Sequence, residues 1–404
     1  MTSYQPDGAG PLSRRLMLGL LGSIPVAAGA AVVPGGSAEA SMAGCGQPPV
    51  PPPKALQPGG TYDQQLARLA AQDQFSGTVL LAYRDKPVLA RAHGMADKQK
   101  GIPNRTDTIF ALASVAKLFT AVAVIQLLEQ GKVGLDQILG TYLDGFPAQV
   151  ASTVTIHQLL THTSGMNDYL GSPLYEQQHL TWASATEVMD GIMAIIKQSP
   201  LLFTPGTQYS YSNSGYATLG AIAAQVSGQS YYDYVREHIF ARAGMTRSDF
   251  YTKPQWLTDP DIAHPYSAGT KGAPGGQLTD VTSGEDFIGS PAGNAFSTAP
   301  DMVRFTRALT GRRLLSPAYA GLMASGKVPL PPQRVPSQLN MAGYGPDIRI
   351  VNDWTVFGHT GGAAGETTDI DIYPGLGWVA VILSNYDISN QVGSLIQLQD
   401  RLIT

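Results

Sequence analysis

A mixed α/β body, with one antiparallel sheet flanked by helices and an inserted, mostly helical lobe, is the fold class the sequence predicts. Three observations predict it. β-rich runs lie near both ends of the body, and helix-spaced apolar residues fill the middle. In addition, 43% of the 404 residues are hydrophobic while 14% are charged, against roughly 25% charged in ordinary soluble domains. Strands from distant chain segments around a helical stretch assemble most simply into one sheet, and a chain of this length buries a large core. With 26 Lys+Arg against 30 Asp+Glu the formal net charge is −4, and no basic block exists for nucleic-acid binding. The single cysteine, Cys45, permits no internal disulfide and leaves too few thiols for a zinc or iron–sulfur cage.

The chain opens with an address. Ser13-Arg14-Arg15-Leu16-Met17-Leu18 begins an apolar run that reaches Val33, diluted by Gly19, Gly22, Pro25 and Gly29 and therefore a poor membrane span. Paired arginines, this run and Ala38-Glu39-Ala40 read as a twin-arginine export signal over residues 1–40, cut after Ala40 and delivering a periplasmic or extracellular protein. An uncleaved anchor, or lipid attachment at Cys45 in Met42-Ala43-Gly44-Cys45, are the alternatives that would bring it to a membrane. Residues 41–60, rich in consecutive prolines, read as an extended linker.

The body is expected over 61–404, with 61–134 and 285–404 forming the α/β lobe and 135–284 the helical lobe. Tyr62–Gln72 has helical spacing, with Leu66, Leu69 and Ala70 on one stripe. Gly77–Arg84 and Pro87–Ala92 read as a hairpin turning at Asp85-Lys86, and Thr108–Leu112 as a third strand. Ser114–Leu128 reads as a helix, apolar on nearly every face after Lys117 and hence buried, stopped by Gly131. Helical spacing continues over Thr155–Leu160, Ala185–Ile196, Gly215–Val226 and Ser230–Ala241, where Tyr231, Tyr232 and Tyr234 read as core. The Gly-rich stretch Ser267–Gly276 reads as a long loop, and 269–293 as the segment that shapes a cleft. Ser297-Thr298-Ala299-Pro300-Asp301 starts another helix. Thr355–His359, Thr367–Tyr373 and Trp378–Ser384 read as strands separated by turns at Gly361-Gly362 and Pro374-Gly375. The helix Gln391–Leu402 closes the chain.

Chemistry concentrates at three places. A serine and a lysine three residues apart, Ser114 and Lys117, share one face at the start of a buried helix, within hydrogen-bonding reach. Burial disfavours the charged lysine, so Lys117 could hold a neutral amine that accepts the serine proton. The bland alternative makes Ser114 an N-cap and Lys117 a snorkelling side chain. Tyr211-Ser212-Asn213, at a loop-to-helix junction, can present a phenol and an amide to a cleft, or be a core tyrosine beside a cap. His359-Thr360-Gly361-Gly362 ends a strand in small residues, against which a substrate backbone can lie. No Gly-x-Ser-x-Gly elbow, His-Glu-x-x-His or Gly-x-Gly-x-x-Gly is found, and the seven histidines are scattered, so neither a metal nor a cofactor is expected. His162 imitates the later His-Thr motif outside a strand and reads as structural.

Ser114-x-x-Lys117, Tyr211-x-Asn213 and His359-Thr360-Gly361, in this order, resemble the active-site-serine penicillin-recognising enzymes. The closest likeness is to the family of class C β-lactamases, D-alanyl-D-alanine carboxypeptidases and serine esterases. Leu159-Leu160-Thr161-His162-Thr163-Ser164-Gly165-Met166 looks like the same family's helical-lobe phrase. The resemblance spans about Tyr62 to Leu402 and implies a β-lactamase/transpeptidase-like fold. It further implies that Ser114 is the nucleophile, that Lys117 and Tyr211 share the proton traffic, and that Asn213 binds the substrate amide. His359, Thr360 and Gly361 would line the substrate, and the backbone N–H groups of Ser114 and Gly362 would form the oxyanion hole. The family's Lys-Thr-Gly is here His-Thr-Gly. That change removes a full positive charge and favours a carboxypeptidase-like or esterase-like hydrolase of a small amide, ester or peptidoglycan stem peptide over a β-lactamase. A non-catalytic wall-binding protein is the reading from another class.

Overall fold

The computed structural model describes residues 51–268, 277–330, 339–387 and 389–404. The expected export signal, Cys45 and most of the Gly-rich loop lie outside them. Among the described residues eight strands form one antiparallel sheet: β1 (Gly77–Tyr83), β2 (Lys86–His93), β3 (Val328–Pro329), β4 (Leu339–Ala342), β5 (Asp347–Val351), β6 (Trp354–Ala363), β7 (Glu366–Tyr373) and β8 (Trp378–Ser384). Their order is β2-β1-β8-β7-β6-β5-β4-β3, so the two ends of the body meet at the β1–β8 pair, in register from Gly77 opposite Ser384 to Tyr83 opposite Trp378.

The central strands read as continuous apolar runs because both faces of the sheet are covered. Along β1, Val79 and Leu81 join one core while Leu80 and Ala82 join the other; β8 divides likewise, Ala380 and Ile382 against Val381 and Leu383. The first core is closed by helices α1 (Thr61–Ala71) and α6 (Ser389–Ile403), whose Tyr62, Leu66, Val392 and Leu395 are buried in it. Arg349 fastens α6 further, donating to Asp400 (2.6 Å) and Asp371 (2.5 Å) at once. The second, larger core holds α2 (Lys117–Glu129), α3 (Ala185–Gln198), α4 (Asn213–Ser227) and α5 (Ala299–Thr310). Every residue of α2 from Lys117 to Leu127 is buried, and Phe119 meets Phe240 and Phe305 edge-on at 5.0 Å. No helix of the described residues is long and apolar enough to cross a membrane.

Several expectations shift. The 41–60 linker is ordered before its expected end: Lys54–Leu56 forms a 3-10 turn and Leu56 is fully buried beside Tyr62, so one apolar side chain sufficed to dock it. The first hairpin turns at Arg84-Asp85, both with positive φ, rather than at Asp85-Lys86; a two-residue turn of that hand matches the strand twist. The strand expected at Thr108–Leu112 shrinks to Phe110–Ala111, which pairs with Phe296–Ser297 outside the main sheet. Gly361-Gly362 is not a turn. β6 runs through it to Ala363, and the reversal falls at Ala364-Gly365, where Gly365 has φ +72°. Ser230–Ala241 starts as an α-helix at Tyr231–Val235 and continues as a π-helical turn over Arg236–Ala241.

Candidate active site

Ser114 sits one turn before α2, in the 3-10 turn Ala113–Ala116. In a 3-10 turn residues i and i+3 eclipse, which aims the Ser114 hydroxyl at the Lys117 amine: Oγ and Nζ are 3.0 Å apart. Ser114 makes no helix-capping bond, and Lys117 is fully buried rather than snorkelling. Ala113 takes φ +44° to turn the chain into this position. A non-glycine residue holds that conformation only where its surroundings fix it. Here Asn294 N–H donates to the Ala113 carbonyl (3.1 Å), Leu112 N–H to Ala295 (2.9 Å), and Thr368 Oγ1 on β7 to the Leu112 carbonyl (2.8 Å).

β6 packs directly against that turn. A Cβ on Gly361 would meet the Leu112 carbonyl at 2.5 Å and Thr368 Oγ1 at 2.3 Å, whereas one on Gly362 would meet nothing within 4 Å. Close packing against this turn therefore demands glycine at 361 and not at 362. β5 pairs with β6 only from Trp354 to Gly358, so the β6 edge from His359 to Ala363 has no β5 partner.

Lys117 Nζ has two further partners. It donates to Asn213 Oδ1 (2.7 Å) and, in a very short contact, to the Ala292 carbonyl. Burial pulls its pKa from 10.5 to about 7, with Asp168 opposing. Asn213 opens α4 behind the N-cap Ser212, whose hydroxyl accepts from Gly215 N–H (3.2 Å). Its amide is fixed by Asp168, which accepts from Asn213 Nδ2 (2.8 Å) and from its backbone N–H (3.2 Å). The amide expected to bind the substrate amide is thus already engaged at both ends.

Tyr211 places its ring centroid 4.9 Å from Lys117 Nζ. Although 39% of the residue is exposed, its hydroxyl end is enclosed; burial pushes the phenol pKa up, and the hydrogen bond with Ser114 opposes that rise. Beneath the ring lies His162, stacked at 4.4 Å on Tyr211 and at 5.0 Å on Tyr216. His162 Nδ1 accepts from the Ser212 N–H (3.1 Å), and burial holds the ring neutral. His359 is buried too, its pKa lowered to about 4 by burial and then by Lys117, while Nδ1 turns to the Thr360 carbonyl. At neutral pH it carries no charge. Thr360 is exposed on the alternate face of β6.

Ser114, Tyr211, Asn213 and Gly362 line one cleft of about 250 Å³. Part of its wall comes from 285–294, which overlaps the segment expected to shape it, and includes Glu285 and Asp286. Sequence reasoning missed those two acids, the Ala292 carbonyl and Asp168. Only Asp168, two residues beyond the family-like phrase ending at Met166, carried any local signal.

Comparison with known proteins shows the family. A family model described as Beta-lactamase matches residues 62–403. The chain is 30% identical over 345 residues to Penicillin-binding protein 4 of Amycolatopsis lactamdurans, covering 80% of this chain and 84% of that one. It is 34% identical over 178 residues to Esterase EstB of Burkholderia gladioli, covering 42% of this chain and 44% of the esterase. The crystal structure of a penicillin binding protein from Bacillus halodurans superposes with a TM-score of 0.72 at 28% identity, over 82% of this chain and 98% of that one. A fold and a sequence match that both run nearly the length of the body lead to one conclusion: the chain belongs to the Beta-lactamase family, a family of serine hydrolases.

Proposed function

We propose that this protein is an exported serine hydrolase that forms an acyl-Ser114 intermediate on a small ester or amide. The observation that carries the reading is the set of three contacts made by the Lys117 amine. A neutral amine has two N–H bonds and one lone pair. The Asn213 and Ala292 oxygens take the two hydrogens, which leaves the lone pair for the Ser114 hydroxyl at 3.0 Å. With a pKa near 7, a large share of Lys117 is in that form at neutral pH, as a general base requires.

Ser114 Oγ attacks the acyl carbonyl and its proton passes to Lys117 Nζ. The carbonyl oxygen, now negative, is held by the N–H groups of Ser114 and Gly362, one such donor being worth roughly 3 kcal/mol of barrier. Collapse of the adduct expels the alcohol or amine, protonated from Lys117 through the Tyr211 hydroxyl. Tyr211, with its raised pKa, stays a neutral phenol that relays protons. Water then attacks the acyl carbon and gives a proton to the same pair, and that proton passes to Ser114 Oγ as the acyl C–Oγ bond breaks and the acid leaves. The unpaired edge of β6 offers backbone groups along which an extended substrate can lie.

A carboxypeptidase acting on peptidoglycan stem peptide must hold a terminal carboxylate, as must a β-lactamase. His359 is neutral, and among the described residues no lysine or arginine lines the cleft, so esters and amides without a carboxylate fit best. Export rests on the twin-arginine pattern of residues 1–40, with lipid attachment at Cys45 as its variant.

Mass spectrometry after fluorophosphonate treatment is expected to show one adduct, on Ser114, and Ser114→Ala to lose p-nitrophenyl acetate hydrolysis. An unlabelled Ser114 with intact turnover in the variant overturns the reading. Wall binding without any turnover would favour the non-catalytic protein, and rapid nitrocefin hydrolysis the β-lactamase.

A further inference from the structure

The turn that supplies the Ala292 carbonyl is held from behind. A peptide unit is a rigid plane, so anchoring both of its polar groups fixes its orientation. In the unit joining Pro291 to Ala292, the N–H donates to Ser290 Oγ (3.2 Å) and the carbonyl accepts from Thr120 Oγ1 (2.6 Å). The next unit carries the carbonyl that meets Lys117, and its N–H, from Gly293, donates to the Ser290 carbonyl (3.1 Å). The helical lobe closes the turn further. The Tyr232 hydroxyl donates to the Gly289 carbonyl (2.9 Å), and a Cβ on Gly220 of α4 would collide with the Pro291 ring.

Thr120 behaves unlike other threonines within helices of this chain. Thr218, Thr306 and Thr310 each return the hydroxyl to the carbonyl four residues earlier, at 2.8, 3.1 and 2.9 Å, a common resort of a threonine inside a helix. Thr120 is fully buried in α2, three residues beyond Lys117 and on the same face, and it reaches out of its helix to Pro291 instead. A carbonyl only accepts, so the single Thr120 hydroxyl hydrogen is committed there. The Tyr231 hydroxyl, 2.7 Å from Thr120 Oγ1, must then donate to it. Helix α2 thus holds two successive carbonyls of one turn, Pro291 through Thr120 and Ala292 through Lys117.

We propose that Thr120 and Tyr231 are positioning residues for the proton transfer at Ser114. The chain from Tyr231 through Thr120 to Pro291 keeps the Ala292 carbonyl where it takes one hydrogen of the Lys117 amine, and so aims the remaining lone pair at the Ser114 hydroxyl. The proposal rests on the acyl-Ser114 reading. Neither residue is among those lining the cleft, so each acts through the turn and not on the substrate.

The test is p-nitrophenyl acetate hydrolysis as a function of pH, with active sites counted by complete fluorophosphonate labelling so that a partial folding defect does not imitate the effect. Thr120→Val keeps the branched shape and removes the hydroxyl. It is expected to lower kcat/KM per labelled site by about ten- to a hundredfold. The rising limb of its pH–rate profile is expected to move to lower pH, because an ammonium that has lost an acceptor is less stable. Asp168, the charge that acts on Lys117, is untouched by the substitution. Thr120→Ser retains a hydroxyl and is expected to recover most of the rate. Tyr231→Phe is expected to move both readouts in the same direction by a smaller factor, and it carries the test if Thr120→Val does not fold. Wild-type rate and limb in the variant tested overturn the proposal and leave the hydrolase reading standing. A slower variant whose limb stays in place overturns it too, since a merely structural hydroxyl lowers the rate without moving the limb. If the unsubstituted protein turns over no p-nitrophenyl acetate, the hydrolase reading fails and the proposal falls with it.

Discussion

Asp168 grips Asn213 twice, accepting from its side-chain Nδ2 at 2.8 Å and from its backbone N–H at 3.2 Å. A carboxylate cannot donate, so the amide nitrogen must face Asp168 and the amide oxygen must face Lys117. Asp168 touches neither Ser114 nor the amine, yet it determines which way round the site is wired. It also raises the Lys117 pKa against the pull of burial.

Replacing Asp168 by Asn removes that constraint and that charge together. Asp168→Asn is expected to lower kcat/KM by roughly ten- to a hundredfold, through misplacement of Asn213 and the amine it orients. The rising limb of the pH–rate profile is expected to move to lower pH, since the opposing charge is gone. A merely structural role for Asp168 would lower the rate without moving that limb.

The wild-type profile carries its own prediction. Lys117 acts as base only when neutral, and its pKa lies near 7, so kcat/KM should fall close to tenfold per pH unit below that value and level off above about pH 8. Lys117→Ala should lose on the order of a thousandfold or more at neutral pH. A flat profile from pH 5 to 8, measured with a neutral ester, would remove the amine from the proton transfer.

Much of this was legible in the sequence, for identifiable reasons. β1 and β8 announce themselves as apolar runs because both sheet faces are covered, and α2 does so because helices surround it. Ser114, Lys117, Tyr211, Asn213 and His359 stood out as polar residues in apolar or glycine-rich settings, and the structure gathers them around one amine. What stayed hidden depends on tertiary geometry. The Ala292 carbonyl has no side-chain signature at all. Glu285 and Asp286 are adjacent acids such as any exposed loop contains, and only folding brings them into the cleft that Ser114 lines. Phe110–Ala111 is held by loop neighbours rather than by the sheet, so a five-residue β pattern shortened to two.

Gly361 and Gly362 of β6 separate packing from chemistry. Gly361→Ala would place its Cβ 2.5 Å from the Leu112 carbonyl and 3.0 Å from Ala113 Cβ, driving the strand away from the turn that carries Ser114. Overpacking of this kind typically costs about 1–3 kcal/mol, and a clear fall in Tm is expected together with loss of most activity. Gly362→Ala meets no neighbour and should leave Tm within about 1 °C of wild type. Equal Tm losses in the two variants would contradict the close contact at 361.

The buried carboxyls should leave their mark on stability against pH. Burial and the nearby Glu285 raise the Glu366 pKa well above its ordinary value. Between the unfolded value near 4.5 and the raised folded one, the unfolded chain has released this proton while the folded chain keeps it. The folded state therefore holds more protons, and this residue's contribution to stability is intact below pH 4.5 and drains away as pH rises, by up to about 1.4 kcal/mol per unit. Glu366→Gln keeps the shape of the protonated acid and cannot ionise. In urea unfolding the variant should match the wild type near pH 4, then gain on it as pH rises above 4.5. The gain levels off where the folded Glu366 itself begins to ionise. A difference that stays constant with pH would mean that Glu366 ionises as readily in the folded protein as in the unfolded chain, and that the carboxyl is not confined as its burial indicates.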